Sequence, residues 1–287
     1  MEKYVDLERW VRPHILKMKG YRSARDTFNK AAEEMVLLDA NENPYLWSFN
    51  RYPDPYQLEL REHLATRYSV STKNLMLGNG SDEVLDLLIR ATCEPDTDKC
   101  MLLPPTYGMY GVLGNLNRVK MLEVPLDNEF QPDVEAILEH AGEKTKLLFL
   151  CSPNNPTGNL FEEERIEAIL DGFNGLVVID EAYIDFAQAE SWVNRLSDFD
   201  NLVVVQTLSK AYGMAGLRLG MCYARPELIE VLLKIKPPYN INGATQNIAL
   251  ERLLEKENLT QQRDILVQER DRLSRQLATI GLSLIHI

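Results

Sequence analysis

Short apolar runs alternate with stretches of helical periodicity along most of the chain. Seven runs rich in Val, Leu and Ile predict strands at Asn74–Leu77, Lys99–Leu103, Val119–Val124, Lys146–Leu150, Leu176–Asp180, Leu202–Thr207 and Leu219–Tyr223. Most set apolar side chains in succession rather than in alternation, as strands covered on both faces do. Between them the spacing predicts helices. Ser81 is placed to N-cap one running to about Thr92, with Asp82 and Glu83 in its first turn. Others are predicted at Asp133–His140, Phe161–Leu170, Glu227–Ile235 and Thr245–Leu254. Alternation of this kind predicts an α/β fold, a mostly parallel sheet with helices on both faces.

The two ends break the pattern. Met1–Arg25 reads as a helix and a loop, and Leu37–Tyr56 is rich in turn residues, with Pro44, Pro53 and Pro55 barring long regular elements. Such a segment serves equally as a surface connector or as a cover over a site or against another subunit. Asn258–Ile280 reads as one long polar helix whose apolar stripe, Leu266, Leu273, Leu277 and Ile280, calls for a partner surface.

Composition narrows the class. The 287 residues allow one large domain, or a large one plus a small one, and 45% apolar content supports a sizeable core. Lys and Arg number 31 against 43 Asp and Glu, a formal net charge of −12. That balance argues against a nucleic-acid partner, since a phosphate backbone needs a cationic footprint. An anionic ligand must then be held by a few focused donors. Cys93, Cys100, Cys151 and Cys222 form no C-x-x-C pair and read as buried, reduced thiols of a cytoplasmic protein. His14, His63, His140 and His286 are scattered, so no metal site is expected. Met1–Trp10 does not read as a signal peptide, and no apolar run approaches a membrane span.

Four strand ends carry chemistry, and each also has a plain structural reading. In TLSKAYGMAGLRLG (Thr207–Gly220), Lys210 follows a buried strand and Arg218 lies eight residues on. A desolvated lysine there is a Schiff-base former; the alternative is a solvated loop lysine. In LVVIDEAY (Leu176–Tyr183) an apolar strand runs into Asp180 and Glu181, where a carboxylate can hold a ligand's positive charge or simply cap a helix. LLFLCSPNNPTG (Leu147–Gly158) ends in Ser152, Asn154 and Asn155 within a proline-rich turn. LGNGSDE (Leu77–Glu83) puts two glycines before a helix start, either an anion cradle or a tight turn. Together they offer an anion cradle, an acid for a ring cation, amide and hydroxyl donors and a tethered amine. That set describes pyridoxal 5'-phosphate.

The chain resembles the fold-type I pyridoxal-phosphate aminotransferases and, within them, the histidinol-phosphate aminotransferases. GNGSDE, PPTYGMY (Pro104–Tyr110), SPNNPTGN (Ser152–Asn159), VIDEAYIDF (Val178–Phe186) and TLSKAYGMAGLRLG run in the family's order, SPNNPTG and SKAYGMAGLRLG being specific for the wider superfamily. GYRSARD (Gly20–Asp26), LDANENPY (Leu38–Tyr45) and RYPDPY (Arg51–Tyr56) complete the set on which the narrower match rests, with YRSAR and RYPDPY favouring the subfamily. The resemblance implies a large domain with a seven-stranded, mostly parallel sheet and an incomplete small α/β domain. It implies that Lys210 binds the cofactor covalently and moves the proton, and that Asp180 pairs with the pyridine nitrogen. Asn155 and Tyr183 would bond the phenolate oxygen, and Tyr107 would stack on the ring. Backbone donors at Ser81 and Asp82, with Ser209 and Arg218, would hold the phosphate. Tyr52 would reach the cofactor of a second subunit, making the active unit a homodimer, while Tyr21, Asn41 and Asn43 would face substrate. The implied reaction transfers the amino group of histidinol phosphate to 2-oxoglutarate, giving imidazole acetol phosphate and glutamate, in histidine biosynthesis.

The implied division is an N-terminal arm with part of the small domain at 1–45, the large domain at 46–250 and the start of the C-terminal small domain at 251–281. Members of the family continue further and supply a substrate-binding arginine there. Leu282–Ile287 (LSLIHI) breaks the helical pattern and reads as a translated sequencing adapter. A C-terminally truncated chain is therefore expected, binding cofactor weakly and turning over poorly. Competing readings are a decarboxylase of a phosphorylated amino acid, an aromatic or branched-chain aminotransferase, and a non-catalytic pyridoxal-phosphate-binding regulatory module. A dinucleotide oxidoreductase is disfavoured by the lack of G-x-G-x-x-G after the first strand.

Overall fold

A computed structural model describes residues 7–21, 39–45, 47 and 49–282. Seven strands form one sheet: β1 (Leu75–Asn79), β2 (Lys99–Leu102), β3 (Lys120–Glu123), β4 (Thr145–Cys151), β5 (Leu176–Asp180), β6 (Leu202–Thr207) and β7 (Leu219–Tyr223). Their order is β1-β7-β6-β5-β4-β2-β3. β7 runs antiparallel to both its neighbours, and the other pairs are parallel. All seven expected strands are present, three with the expected bounds and four shifted by one or two residues at an end.

The strands alternate their side chains between two apolar layers. Leu176 and Val178 of β5, Phe149 of β4 and Val203 and Val205 of β6 face one layer. That layer is completed by α1 (Pro13–Lys17), α3 (Ser81–Thr92), α4 (Met109–Leu116) and α7 (Pro226–Ile235). Val177 and Ile179 of β5, Leu150 of β4 and Val204 of β6 face the other. It is closed by α2 (Leu58–Thr66), α5 (Val134–His140), α6 (Glu163–Gly172) and α8 (Gly243–Leu254). Double coverage is why these strands read as unbroken apolar runs.

α2 and α4 were not legible in the sequence. α2 follows a proline-rich stretch, and Asp54 starts it by accepting from the Leu58 N–H at 2.7 Å. α4 contains Gly111 and Gly114, poor helix formers; a Cβ on Gly114 would lie 2.2 Å from the Met121 sulfur, so close packing on β3 demands glycine. At the N-terminal end Trp10, Val11 and Ile15 are buried in the α3 layer; the 22–26 part of GYRSARD lies outside the described residues. Ser81 is not an N-cap: it is the first helical residue, and Gly80 occupies the cap position with φ +82°.

α9 (Lys256–Thr279) is the long polar helix. Leu266, Leu273 and Ile280 of its stripe are exposed, joined by Ile265. Arg270 ties it to the body by donating to the Phe186 carbonyl at 3.1 Å. Among the described residues no helix is long and apolar enough to cross a membrane. All four cysteines are buried, with Cys93 and Cys100 sulfurs 3.5 Å apart.

Candidate active site

The C-terminal ends of β4, β5 and β6 meet the start of β7 and the N-terminus of α3 around one pocket. Ser81, Asp82, Tyr107, Cys151, Asn155, Asp180, Ala182, Tyr183, Thr207, Ser209, Lys210 and Arg218 line it. Nine of the sequence-derived candidates are thus gathered from five separate segments. In open α/β sheets this edge is where ligands bind.

The α3 end is built by two glycines. A Cβ on Gly220 of β7 would lie 2.4 Å from both the Gly80 carbonyl carbon and the Ser81 nitrogen. Only glycine lets the strand pass directly beneath the start of the helix. Gly80 adopts φ +82°, and a Cβ there would lie 2.5 Å from Arg218 Nη2, so the guanidinium rests over the bare Cα. The free first-turn N–H groups of a 12-residue helix and an arginine therefore converge on one spot, an anion cradle. Thr207 and Ser209 flank it, their hydroxyls 2.9 Å apart. Asp82 also borders the cradle: its carboxylate lies 3.7 Å from Arg218 Nη2 and accepts from the Tyr107 hydroxyl at 3.2 Å.

The opposite wall is Asp180, 3% exposed at the end of β5. The Tyr110 hydroxyl donates to its Oδ2 at 2.8 Å and the Ala182 N–H to its Oδ1 at 3.1 Å. Burial nevertheless raises the carboxyl to about 6, against the opposing pull of those two bonds, while Asp82 pushes the same way as burial. Tyr110 is fully buried, stacked on Phe149 at 4.8 Å, and its hydroxyl is held neutral by that burial and by Asp180. Burial and Asp82 push Tyr107 up to about 12, and burial and Asp180 push Cys151 to about 12, so neither adds charge to the pocket. Asp180 is a buried carboxylate short of a cation.

Between the two walls, Asn155 Nδ2 lies 3.4 Å from the Tyr183 hydroxyl, and Lys210 Nζ lies 5.4 Å from the Tyr183 ring centroid. Lys210 is exposed, not desolvated as expected. It sits in the turn after β6, at the edge of the pocket that it helps to line. The donor set matches pyridoxal 5'-phosphate part for part: a cradle for a phosphate, a buried acid for a ring nitrogen, a neutral amide and phenol, and an amine.

Four candidates lie elsewhere. Tyr52 is 52% exposed and stacks on Tyr239 with ring centroids 4.6 Å apart. Tyr52 and Asn41 line a separate hollow with Arg51 and Tyr239. Asn43 is exposed and accepts from the Tyr45 N–H at 3.0 Å; Tyr21 is 70% exposed. None of the four lines the Lys210 pocket. Four site residues had been given no role from sequence: Tyr110, Cys151, Ala182 and Thr207. PPTYGMY contained Tyr110, yet nothing in that string tells which tyrosine turns inward.

The aminotransferase class I and II family model matches residues 24–286. The histidinol-phosphate aminotransferase of Christiangramia forsetii is 52% identical over 279 residues, 97% of this chain and 80% of that protein. Its counterpart in Flavobacterium johnsoniae is 51% identical over 277 residues, 96% of this chain and 79% of that one. The chain thus spans about four fifths of the length of these curated relatives. The crystal structure of histidinol-phosphate aminotransferase from Sinorhizobium meliloti in complex with pyridoxal-5'-phosphate superposes with a TM-score of 0.74 at 26% identity, over 81% of this chain and 64% of that one. With its fold, its pocket and these relatives in agreement, the chain belongs to the class I and II aminotransferase family, among the histidinol-phosphate aminotransferases.

Proposed function

We propose that this chain is a pyridoxal-phosphate-dependent aminotransferase that moves the amino group of histidinol phosphate to 2-oxoglutarate. One observation carries the reading: a single pocket joins the anion cradle at α3, the buried Asp180 and the amine of Lys210. Relatives about half identical over nearly the whole chain support the substrate.

When bound, pyridoxal phosphate supplies an electron sink for the bonds of the substrate's amine-bearing carbon. The chain's own residues do the rest. Arg218, Ser209 and the first-turn N–H groups of α3 bind the phosphate and fix the cofactor's position. Asp180 holds a proton on the ring nitrogen; a cation there relieves the burial penalty that raises its carboxyl. Tyr110 and the Ala182 N–H keep the Asp180 oxygens aimed into the pocket. Asn155 and Tyr183 would hold the ring's oxygen, and Tyr107 would stack on the ring. Lys210, at the pocket edge, would be the amine that holds the cofactor covalently and, when free, the base that moves the proton of the substrate's amine-bearing carbon.

The active unit in this proposal is a homodimer. Tyr45, Trp47, Phe49 and Tyr52 are all at least half exposed and close in sequence, an aromatic patch suited to a second copy. Mixing the chain with pyridoxal phosphate, reducing with borohydride and mapping the label tests the reading. The expected label is on Lys210, and Lys210→Ala abolishes both label and transamination of histidinol phosphate. A wild-type chain that takes no label, or a Lys210→Ala variant with normal turnover, sinks it.

A further inference from the structure

Asp180 and Glu181 are consecutive carboxylates at the end of β5, and strand alternation sends them to opposite faces of the sheet. Asp180 faces the pocket. Glu181 enters the other layer, 1% exposed, and the chemistry above does not use it. It is nevertheless among the most heavily bonded side chains in the structure. Its Oε2 accepts from the Ser191 hydroxyl at 2.6 Å and from Gln206 Nε2 at 2.7 Å, and its Oε1 accepts from the Trp192 N–H at 2.7 Å. Gln206 in turn donates to the Tyr68 hydroxyl at 2.9 Å and to Ser191 Oγ at 3.1 Å.

These partners give Glu181 a mechanical role. Ser191 and Trp192 are the far end of the segment that begins at Glu181 itself. That segment, 182–190, carries Tyr183 into the pocket. At its near end the Glu181 N–H donates to the Val205 carbonyl at 2.8 Å, and the Ile184 N–H donates to the Glu181 carbonyl at 3.2 Å. One residue thus closes both ends of a loop and bolts it to β6. A second tie, the ion pair of Arg67 with Asp185, holds the same loop two residues beyond Tyr183.

We propose that Glu181 is a positioning residue: by clamping Ser191 and Trp192 it closes the 182–190 loop and so fixes the Tyr183 hydroxyl against Asn155. Hydrogen bonds to a buried carboxyl suit the task, because removing it leaves the buried Trp192 N–H without this acceptor. On that face Ile179 and Val204 are apolar, and the sheet's polar contacts to Ser191 come from Glu181 and its partner Gln206.

The inference rests on the pyridoxal-phosphate reading, and its test separates the two. Wild type, Glu181→Ala, Ser191→Ala, Tyr183→Phe and Tyr183→Phe/Glu181→Ala are loaded with pyridoxal phosphate, and the visible band of the bound cofactor is titrated with pH. In parallel, amide hydrogen exchange is followed over 182–192. The clamp predicts that Glu181→Ala and Ser191→Ala move the titration midpoint in the same direction as Tyr183→Phe. It also predicts exchange in 182–192 faster by about tenfold or more, the equilibrium worth of one charge-assisted bond. In the Tyr183→Phe background Glu181→Ala adds no further shift, because its route to the cofactor is already gone. Two results overturn the proposal: a folded variant with lowered thermal stability but an unmoved midpoint, or an equal shift with and without Tyr183. Should Glu181→Ala fail to fold, Ser191→Ala carries the same comparison. A wild-type chain with no cofactor band defeats the functional reading instead, and the exchange arm alone then decides the clamp.

Discussion

Replacing Asp180 by Asn is expected to stabilise the cofactor-free protein above neutral pH while ruining its chemistry. The carboxyl rises from an ordinary 3.8 to about 6, because burial penalises its charged form more than Tyr110 and the Ala182 N–H can offset. The folded chain therefore binds a proton between about pH 4 and pH 6 that the unfolded chain has lost. Stability from this group is fully present below the unfolded value and declines as pH rises through the folded one. At pH 8 the loss equals the separation of the two values, about 2 units or about 3 kcal/mol. At pH 5 it is about half as large, since the folded carboxyl is still mostly protonated there.

Asparagine keeps the shape and the bonds. Its carbonyl oxygen can accept from the Ala182 N–H, and its amide can donate to the Tyr110 oxygen, but it carries no charge to desolvate. The stability gap between variant and wild type should therefore widen by on the order of 1 kcal/mol from pH 5 to pH 8 in favour of Asp180→Asn. Glu181, which burial raises to about 7, titrates in both proteins and cancels from the difference. Urea unfolding of the cofactor-free pair at the two pH values measures it. A gap that stays constant, or narrows toward pH 8, would show that Asp180 is not the strained carboxylate described above. The same substitution removes the partner for a ring cation, so transamination should fall by orders of magnitude.

Three further substitutions probe the pocket from other sides. Arg218→Gln should weaken pyridoxal phosphate by about 10- to 100-fold, the loss of one charge-assisted contact, and should equally weaken inorganic phosphate as a competitor in the same absorbance titration. Gly220→Ala drives a Cβ to 2.4 Å from Gly80 and Ser81. It should displace the start of α3, lowering cofactor affinity by titration and destabilising the fold by about 1–3 kcal/mol in urea. Tyr110→Phe deletes the hydroxyl that donates to Asp180 at 2.8 Å. The Asp180 carboxyl should rise by a further ~1–2 units, moving the stability decline to correspondingly higher pH in the unfolding experiment.

Strands were the most legible part of the chain because the physics is local. LLFLC, LVVID and LVVVQT have too many successive apolar residues for a surface strand and too few for a buried helix. α4 escaped because Gly111 and Gly114 are chosen for what they touch, and Met121 is seven residues beyond Gly114 in sequence. The Ser81 cap failed for a similar reason. A serine before Asp82 and Glu83 satisfies every local rule, but Gly80 takes the cap position at φ +82°, where Arg218, far along the chain, leaves no room for a Cβ. Pocket residues with distinctive chemistry, Lys210, Asp180 and Arg218, stood out. Tyr110 did not, because a buried tyrosine is announced only by the carboxylate it meets.

The DE pair at the end of β5 shows why the site and the scaffold cannot be separated. Two carboxylates with a one-residue offset necessarily address opposite layers. Burial raises both, Asp180 to about 6 and Glu181 to about 7, yet the surroundings answer them differently. Glu181 receives three protein donors and is satisfied internally. Asp180 receives two, and a positive charge, from a ligand or from Lys210, would relieve the burial penalty that remains. An acid left one partner short at a strand end destabilises the free protein, and a cationic ring at the same place recovers that energy on binding. The strain that lowers stability above neutral pH is thus also a source of cofactor affinity, and a variant that relieves the first must forfeit the second.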